Sequence, residues 1–200
     1  MNYNELNEYI KRLKNKSPIF LVEGKRKVKE EDKIMIVKLG EQLAKDFPNV
    51  IFRTGNANGA DELFAQGISK VSPERLEFIL PYKTHKRKKR IEKAKYYSLE
   101  EIKISEVVIN QTIEMSGRNR KMIDLYLSGV RNNFTMKTPY LLRDTLKVLG
   151  MEPIISKADF GIFYDDLENP LTGGTGYTIK VCRKNNVQVV TQEIWVKWLK

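Results

Sequence analysis

Thr54-Gly55-Asn56-Ala57-Asn58-Gly59-Ala60-Asp61 stands between an apolar run, Val50-Ile51-Phe52-Arg53, and a helix-like segment from Asp61 to Ser69 that turns Leu63, Phe64 and Ile68 to one side. Glycine lets the backbone turn tightly and come close to a ligand, and the first N–H groups of the following helix point at that place with the helix dipole behind them. The order recurs near the end of the chain. Ile155 to Phe163 reads as a strand, Tyr164 to Pro170 as an exposed acidic loop, and Leu171-Thr172-Gly173-Gly174-Thr175-Gly176 as a second turn that opens a helix to about Arg183.

Working outward from the first turn, Ile19-Phe20-Leu21-Val22 is a short continuous apolar run, and Glu31 to Phe47 carries Ile34, Ile36, Val37, Leu39, Leu43, Ala44 and Phe47 at helical spacing. Leu76 to Leu80 is a further strand closed by Pro81, and Val187 to Val190 is the last one before a terminal piece holding Trp195, Trp198 and Leu199. Strands that alternate with helices across short links predict a parallel sheet with right-handed crossovers. Residues 1–16 read as an N-terminal helix with a stripe of Leu6, Tyr9, Ile10 and Leu13. From Lys83 to Gly150 the pattern is helical, with breaks near Ser116-Gly117 and between Thr135 and Pro139. The reading is one α/β domain over residues 1–200, Rossmann-like and doubly wound, its sheet mostly parallel, with a helical insertion over about 84–150.

The chain has 200 residues, 41% of them hydrophobic and 10% aromatic, enough to bury a core. No run approaches the roughly 18 apolar residues of a membrane span. The start, Met1 to Glu8, is acidic and polar where a secretory signal is basic and then apolar, so the expected location is cytoplasmic. A lone Cys182 and a lone His85 exclude an internal disulfide and a Cys/His zinc site, and neither a metal nor a cofactor is expected. The abundance of Lys, Asn and Ile points to an A·T-rich genome, bacterial or phage. The net charge of +11 favours encounter with polyanions, and much of the excess lies between Lys83 and Lys95. That segment is either a solvated helix face or, over Lys86 to Lys95, an anion-facing rim that meets nucleic acid.

In doubly wound sheets ligands bind outside the carboxyl ends of the strands. Neither turn has the spacing of a dinucleotide fingerprint or a P-loop. Asn56 and Asn58 tolerate left-handed backbone and offer amides to ribose or phosphate, and Asp61 either caps its helix or holds a ribose hydroxyl. At the end of the first strand, Glu23 is followed by Gly24, Lys25 and Arg26, a basic pair set to meet phosphate or solvent. Arg53 ends its strand and suits phosphate or an acidic neighbour equally. Tyr82 and His85 follow the third strand, Arg118 reaches toward the pocket from the insertion or lies on a surface helix, and Asp159 is a polar contact within its strand. Trp195 and Trp198 read as packing.

The Gly-Asn-Ala-x-Gly-Ala-Asp turn after a strand, with a later Gly-Gly-Thr-Gly turn opening a helix, resembles the SLOG superfamily. These Rossmann-like domains include the LONELY GUY phosphoribohydrolases, the DNA-processing protein A family and sensors of nucleotide signals. The resemblance spans roughly residues 18–192. It implies that Gly55, Asn56, Gly59, Gly173, Gly174, Thr175 and Gly176 line a pocket for a nucleotide or nucleotide-derived ligand, as in a sensor, and that the protein forms a homodimer. Two alternatives follow from other branches. One is a single-stranded DNA-binding module similar to DNA-processing protein A, working through Lys86 to Lys95. The other is an N-glycosidic hydrolase of nucleoside monophosphates. Hydrolases of the family carry paired glutamates after the second turn, where this chain has Tyr177, Thr178, Ile179 and Lys180. An acid from elsewhere, among Glu23, Asp61 and Asp159, is then required.

Overall fold

A computed structural model of the protein describes residues 1–199, the side chain of Arg118 excepted. The expectation for that side chain lies outside the described residues. Eight helices among the described residues, α1 (Tyr3–Arg12), α2 (Glu30–Asp46), α3 (Ala60–Ser69), α4 (Glu106–Ser116), α5 (Arg120–Leu127), α6 (Thr138–Leu149), α7 (Gly173–Lys184) and α8 (Gln192–Trp195), surround six strands. The strands are β1 (Ile19–Gly24), β2 (Ile51–Thr54), β3 (Leu76–Leu80), β4 (Lys95–Ser98), β5 (Phe160–Tyr164) and β6 (Gln188–Thr191). They form one sheet in the order β4-β3-β2-β1-β5-β6, every neighbouring pair parallel. The chain winds from β1 outward to β4, then crosses back to lay β5 and β6 on the other side of β1. The reversal between β1 and β5 opens a crevice at their carboxyl ends. No helix among the described residues is long and apolar enough to cross a membrane.

Period-two alternation divides the strands between two helical layers. Phe20 and Val22 of β1, Phe52, Phe78, Leu80, Phe160 and Ile162 pack with α2, α3 and the two tryptophans, Trp195 and Trp198. Leu6 of α1 joins the same layer, and α1 starts at a capping box in which Asn2 and Glu5 bond each other's backbone N–H. On the opposite face Ile19 and Leu21 meet Val148 of α6 and Ile179, Val181 and Cys182 of α7, while Ile79 meets Val108, Leu142 and Leu146. By the same alternation Glu23, Arg53 and Glu77 point toward α6. All three are buried.

The stretch expected to be helical from Lys83 onward differs at its start. Lys83 to Arg90 forms turns with one short 3-10 segment at Arg87–Lys89, and β4 follows at the edge of the sheet. Dense lysine disguised that edge strand as a helix face. The Tyr96 ring is held flat on Phe78 of β3, with ring centroids 4.7 Å apart, and the Arg90 guanidinium lies 4.6 Å from the Tyr96 centroid. Likewise, Tyr164 and Asp165, expected in an exposed loop, are buried.

Gly59 packs the first turn against the segment after β1. It has φ +82°, and a Cβ there would overlap the carbonyl oxygens of Lys25 and Arg26. The next N–H, of Ala60, bonds the Lys25 carbonyl at 3.1 Å. Gly59→Ala is therefore expected to destabilise the protein by about 2 kcal/mol or more, read from urea denaturation. Gly174→Ala, whose Cβ would meet only Asp144 Oδ2 at 3.5 Å, stays within about 0.5 kcal/mol of the parent.

Candidate functional site at the reversal of strand order

A cleft of about 980 Å³ occupies the crevice between β1 and β5. Its walls come from the end of β1 and the segment after it, Glu23 to Lys29, from Glu31 and Asp32 of α2, Ala57 and Asp61 of the first turn, Arg143 and Asp144 of α6, the end of β5 and the segment after it, Tyr164 to Glu168, Gly174 and Thr175 of α7, and Gln192, Glu193, Val196 and Lys197 near the end of the chain.

Beneath the cleft lies a buried ionic cluster. Lys147, fully buried on α6, bonds Glu23 Oε2 and sits 2.9 Å from Asp144 Oδ1. Arg143 binds the same Asp144 Oδ1 through Nε at 3.0 Å and Nη2 at 2.7 Å, and its Nη1 donates to the Gly55 carbonyl at 3.0 Å. Burial of ions is costly unless each is paired, and here the pairing is mutual. Burial works against the Asp144 anion, yet Arg143 and Lys147 hold its carboxyl below the usual range. Burial likewise opposes the Lys147 charge, but Asp144 and Glu23 raise its pKa. Glu23 goes the other way. Burial pushes its carboxyl up to about 7, Lys147 opposes, and Asp61 and Asp144 add to the rise. Its Oε1 is buried with no hydrogen-bond partner.

The two glycine turns differ in what their donors do. In the first, Asp61 accepts from the N–H of Gly24 at 3.0 Å and of Ala57 at 3.1 Å, so it ties β1 to the turn. It does not cap α3, whose N-cap is Gly59. In the second, Thr172 is the N-cap of α7 and makes no side-chain cap bond; Gly173 and Gly174 are exposed, and Gly176 is packed against Leu171. The first N–H groups of a helix have no partner within it. At α7 those groups belong to Gly173, Gly174 and Thr175, the last two on the cleft wall. Lys25 spans the cleft mouth, donating to the Thr172 carbonyl and Oγ1, both at 2.8 Å, with Asp165 Oδ1 3.6 Å away.

Arg53, Gly55, Asn56, Asn58, Gly59, Tyr82, His85, Asp159, Gly173 and Gly176, all expected at the site, are not on the cleft walls. Arg53 faces α6 instead of the strand ends: its guanidinium binds Glu77 Oε2 at 2.8 and 3.1 Å and the carbonyls of Lys147 and Ser156, so four of its five N–H groups are engaged, and the fully buried side chain is not on the cleft walls. Asp159 precedes β5 at the amino end of the sheet, where it accepts from the Ile19 N–H at 2.8 Å and from Asn15. Gly24 and Arg26 line the cleft with Lys25. Gly55 lies under the Arg143 guanidinium. Asn56, at φ 56°, adopts the expected left-handed backbone, and its Nδ2 is buried without a partner, while Asn58 is exposed. His85 Nε2 is 3.2 Å from the Asn56 carbonyl oxygen, and the ring packs edge-on against Tyr82 and Tyr140. Burial lowers its pKa, the Asn56 carbonyl opposes, and Arg143, Lys86 and Arg26 lower it further.

Arg143, Asp144 and Lys147 were not singled out from sequence. No cue to their burial was present in the sequence: in Leu141-Leu142-Arg143-Asp144-Thr145-Leu146-Lys147-Val148-Leu149 the three charges fall on one side of the helix and the apolar residues on the other, as in a surface helix.

No family model matches the chain, and no curated protein matches it. Among solved structures it is similar to DNA processing protein A from Helicobacter pylori, described for a unique single-stranded DNA binding mode, at 13% identity and a TM-score of 0.46 over 88% of this chain and 65% of that one. It is also similar to DNA processing protein A from Streptococcus pneumoniae, at 10% identity and a TM-score of 0.43 over 87% of this chain and 49% of that one. The chain thus spans less than two thirds of the length of either protein.

The Glu23 environment has a pH signature. An unfolded glutamate releases its proton near 4.5, whereas the folded state holds it to about 7. Stability from this proton is fully present below 4.5 and is lost as pH rises through 7. The stability of the parent relative to Glu23→Gln is expected to decline across that window and to level off above it, in urea midpoints taken at several pH values. A constant difference excludes the raised carboxyl. For the buried pair, Arg53→Met alone is expected to cost about 3–5 kcal/mol by stranding Glu77, and Arg53→Met with Glu77→Leu recovers most of it in the same measurement.

Proposed function

We propose that the cleft binds a nucleotide or nucleotide-derived small molecule, with a phosphate at the start of α7. The observation that carries this reading is the joint position of an uncapped helix start and a large cleft at the reversal of strand order. Lys25, Arg26, Lys27 and Lys29 place a run of basic side chains on the same walls, facing the acidic segment Asp165 to Glu168. The first turn, whose N–H groups are bonded to Asp61 and Lys25, serves as the wall opposite. A bound nucleotide suits a sensor as well as an enzyme. Release of free base from it, lost in Glu23→Gln, is the outcome that makes the same cleft a hydrolase.

The basic turn supports a second reading, contact with single-stranded DNA, the ligand named for the Helicobacter pylori protein. Arg87, Lys88, Lys93 and Lys95 are exposed, whereas Lys86 and Lys89 lie 3.7 and 3.6 Å from Glu62. Contacts of this kind weaken steeply with salt.

Calorimetric titration with ribonucleoside monophosphates, diphosphates and triphosphates separates the two readings. The parent is expected to bind at least one of them, and Gly174→Trp, which sets a large ring at the start of α7, is expected to lose at least about tenfold in affinity while keeping its urea midpoint. Undiminished affinity in that variant refutes the phosphate position. Absence of nucleotide binding, with salt-sensitive binding of oligo-dT that falls in Arg87→Ala/Lys88→Ala, moves the function to the basic turn.

A further inference from the structure

Beneath the cleft the chain buries an odd number of charges. Three carboxyl groups, Glu23, Asp61 and Asp144, stand with two cations, Arg143 and Lys147, and all five are buried. Arg53 and Glu77 form a separate pair that adds no net charge. With every group ionised, one negative charge has no counterion, and the least costly relief is a proton. The bonding says where it goes. Asp61 accepts a backbone N–H on each oxygen, from Gly24 and from Ala57, and Asp144 is bound by both cations. Glu23 Oε2 accepts from Lys147, which has only donors to give, so the proton rides on Oε1, the oxygen buried without a hydrogen-bond partner. Burial pushes the carboxyl in the same direction. The other neighbours of Glu23 leave this balance unchanged: Phe163, its register partner in β5, is uncharged, and the Cys182 thiol of α7 is pushed up by burial and then by Glu23, so it stays neutral.

The protonation state of this cluster decides what an anion meets in the cleft. Asp144 Oδ2 lies 3.5 Å from where a Cβ on Gly174 would stand, so a phosphate at the start of α7 has a carboxylate close beside it. Lys147 is shared between Asp144 and Glu23. With Glu23 ionised the lysine divides its charge between two carboxylates and the cluster is negative; with Glu23 protonated it serves Asp144 alone and the cluster is neutral. The remaining walls do not make up the difference, because acidic side chains outnumber basic ones around the cleft. The dipole of α7 favours an anion at its start, and the floor beneath favours it only after Glu23 has taken a proton.

We propose that the cleft takes up its anionic ligand together with a proton from solvent, which Glu23 holds while the anion occupies the start of α7. This rests on the nucleotide reading above and adds to it a coupling between ligand and pH. Glu23 is a positioning residue in this scheme, since it acts on the anion through Lys147 and Asp144. Linkage fixes the direction. Below about 7 Glu23 already carries the proton and none is taken up there on binding. Above that value each binding event draws one in, so affinity falls as pH rises, by about tenfold per pH unit at most.

The test is calorimetric titration of the whole protein with AMP, GMP, CMP and UMP at pH 8, each in two buffers of different ionisation enthalpy, which reads the protons taken up per nucleotide bound. For whichever nucleotide binds, the parent is expected to take up about 0.5–1 proton, and Glu23→Gln, neutral at every pH, none. The phosphorus resonance of the bound nucleotide tells a proton on the protein from one on the phosphate, and it decides the matter on the parent alone if that variant fails to fold. A dianionic bound phosphate is the expected result. Binding without proton uptake, uptake by the phosphate itself, or uptake undiminished in Glu23→Gln overturns the coupling and leaves the nucleotide reading standing. Binding of no nucleotide removes both.

Discussion

Lys147 is the constraint around which the molecule is organised. Its ammonium is fully buried between a sheet residue, Glu23, and a helix residue one turn earlier, Asp144. Such an ion is tolerable only if both partners stay in place, and that requirement fixes α6 along β1. Arg143 extends the tie from Asp144 to the Gly55 carbonyl after β2, and Arg53 extends it again from Glu77 of β3 to the last turn of α6 through the Lys147 carbonyl. One face of this sheet is therefore held by charge as much as by apolar contact. The opposite face, with Phe20, Phe52, Phe64, Phe78 and the two tryptophans, is an ordinary hydrocarbon core.

The asymmetry has a functional reading. A layer of hydrocarbon has no directional groups to offer a ligand, whereas a layer of paired ions ends, at the crevice, in atoms with unused hydrogen-bonding capacity. Glu23 occupies the position in β1 where the buried run gives out and the crevice begins, and its two oxygens differ: one bonds Lys147 and the other is buried without a hydrogen-bond partner.

Much of this was legible in the sequence. Continuous apolar runs such as Ile19 to Val22 and Leu76 to Leu80 could only be buried strands, and the glycine turns marked where helices follow them. The edge strand was not legible, because Lys95-Tyr96-Tyr97-Ser98 has one face on Phe78 and the other in water and sits in a lysine-rich stretch. Of the candidate site residues, Glu23, Gly24, Lys25, Arg26, Asp61, Gly174 and Thr175 converge on the cleft. Arg53 and Asp159 do not, since direction across the strand and end of the sheet depend on register, which a polar residue in a short strand does not announce. The α6 charges were hidden for the opposite reason: charged side chains are read as solvent-facing by default, and Arg143, Asp144 and Lys147 share one side of their helix as they would on a surface.

Asp61 has a further consequence. Its carboxylate receives the N–H groups of Gly24 and Ala57, which a bound anion would otherwise claim at that turn. The acceptor comes from the chain itself, so the first turn is tied to β1 from within. The two glycine turns thus differ in kind: the first is closed by the chain's own carboxylate, and the second leaves the first N–H groups of α7 without a partner in their helix.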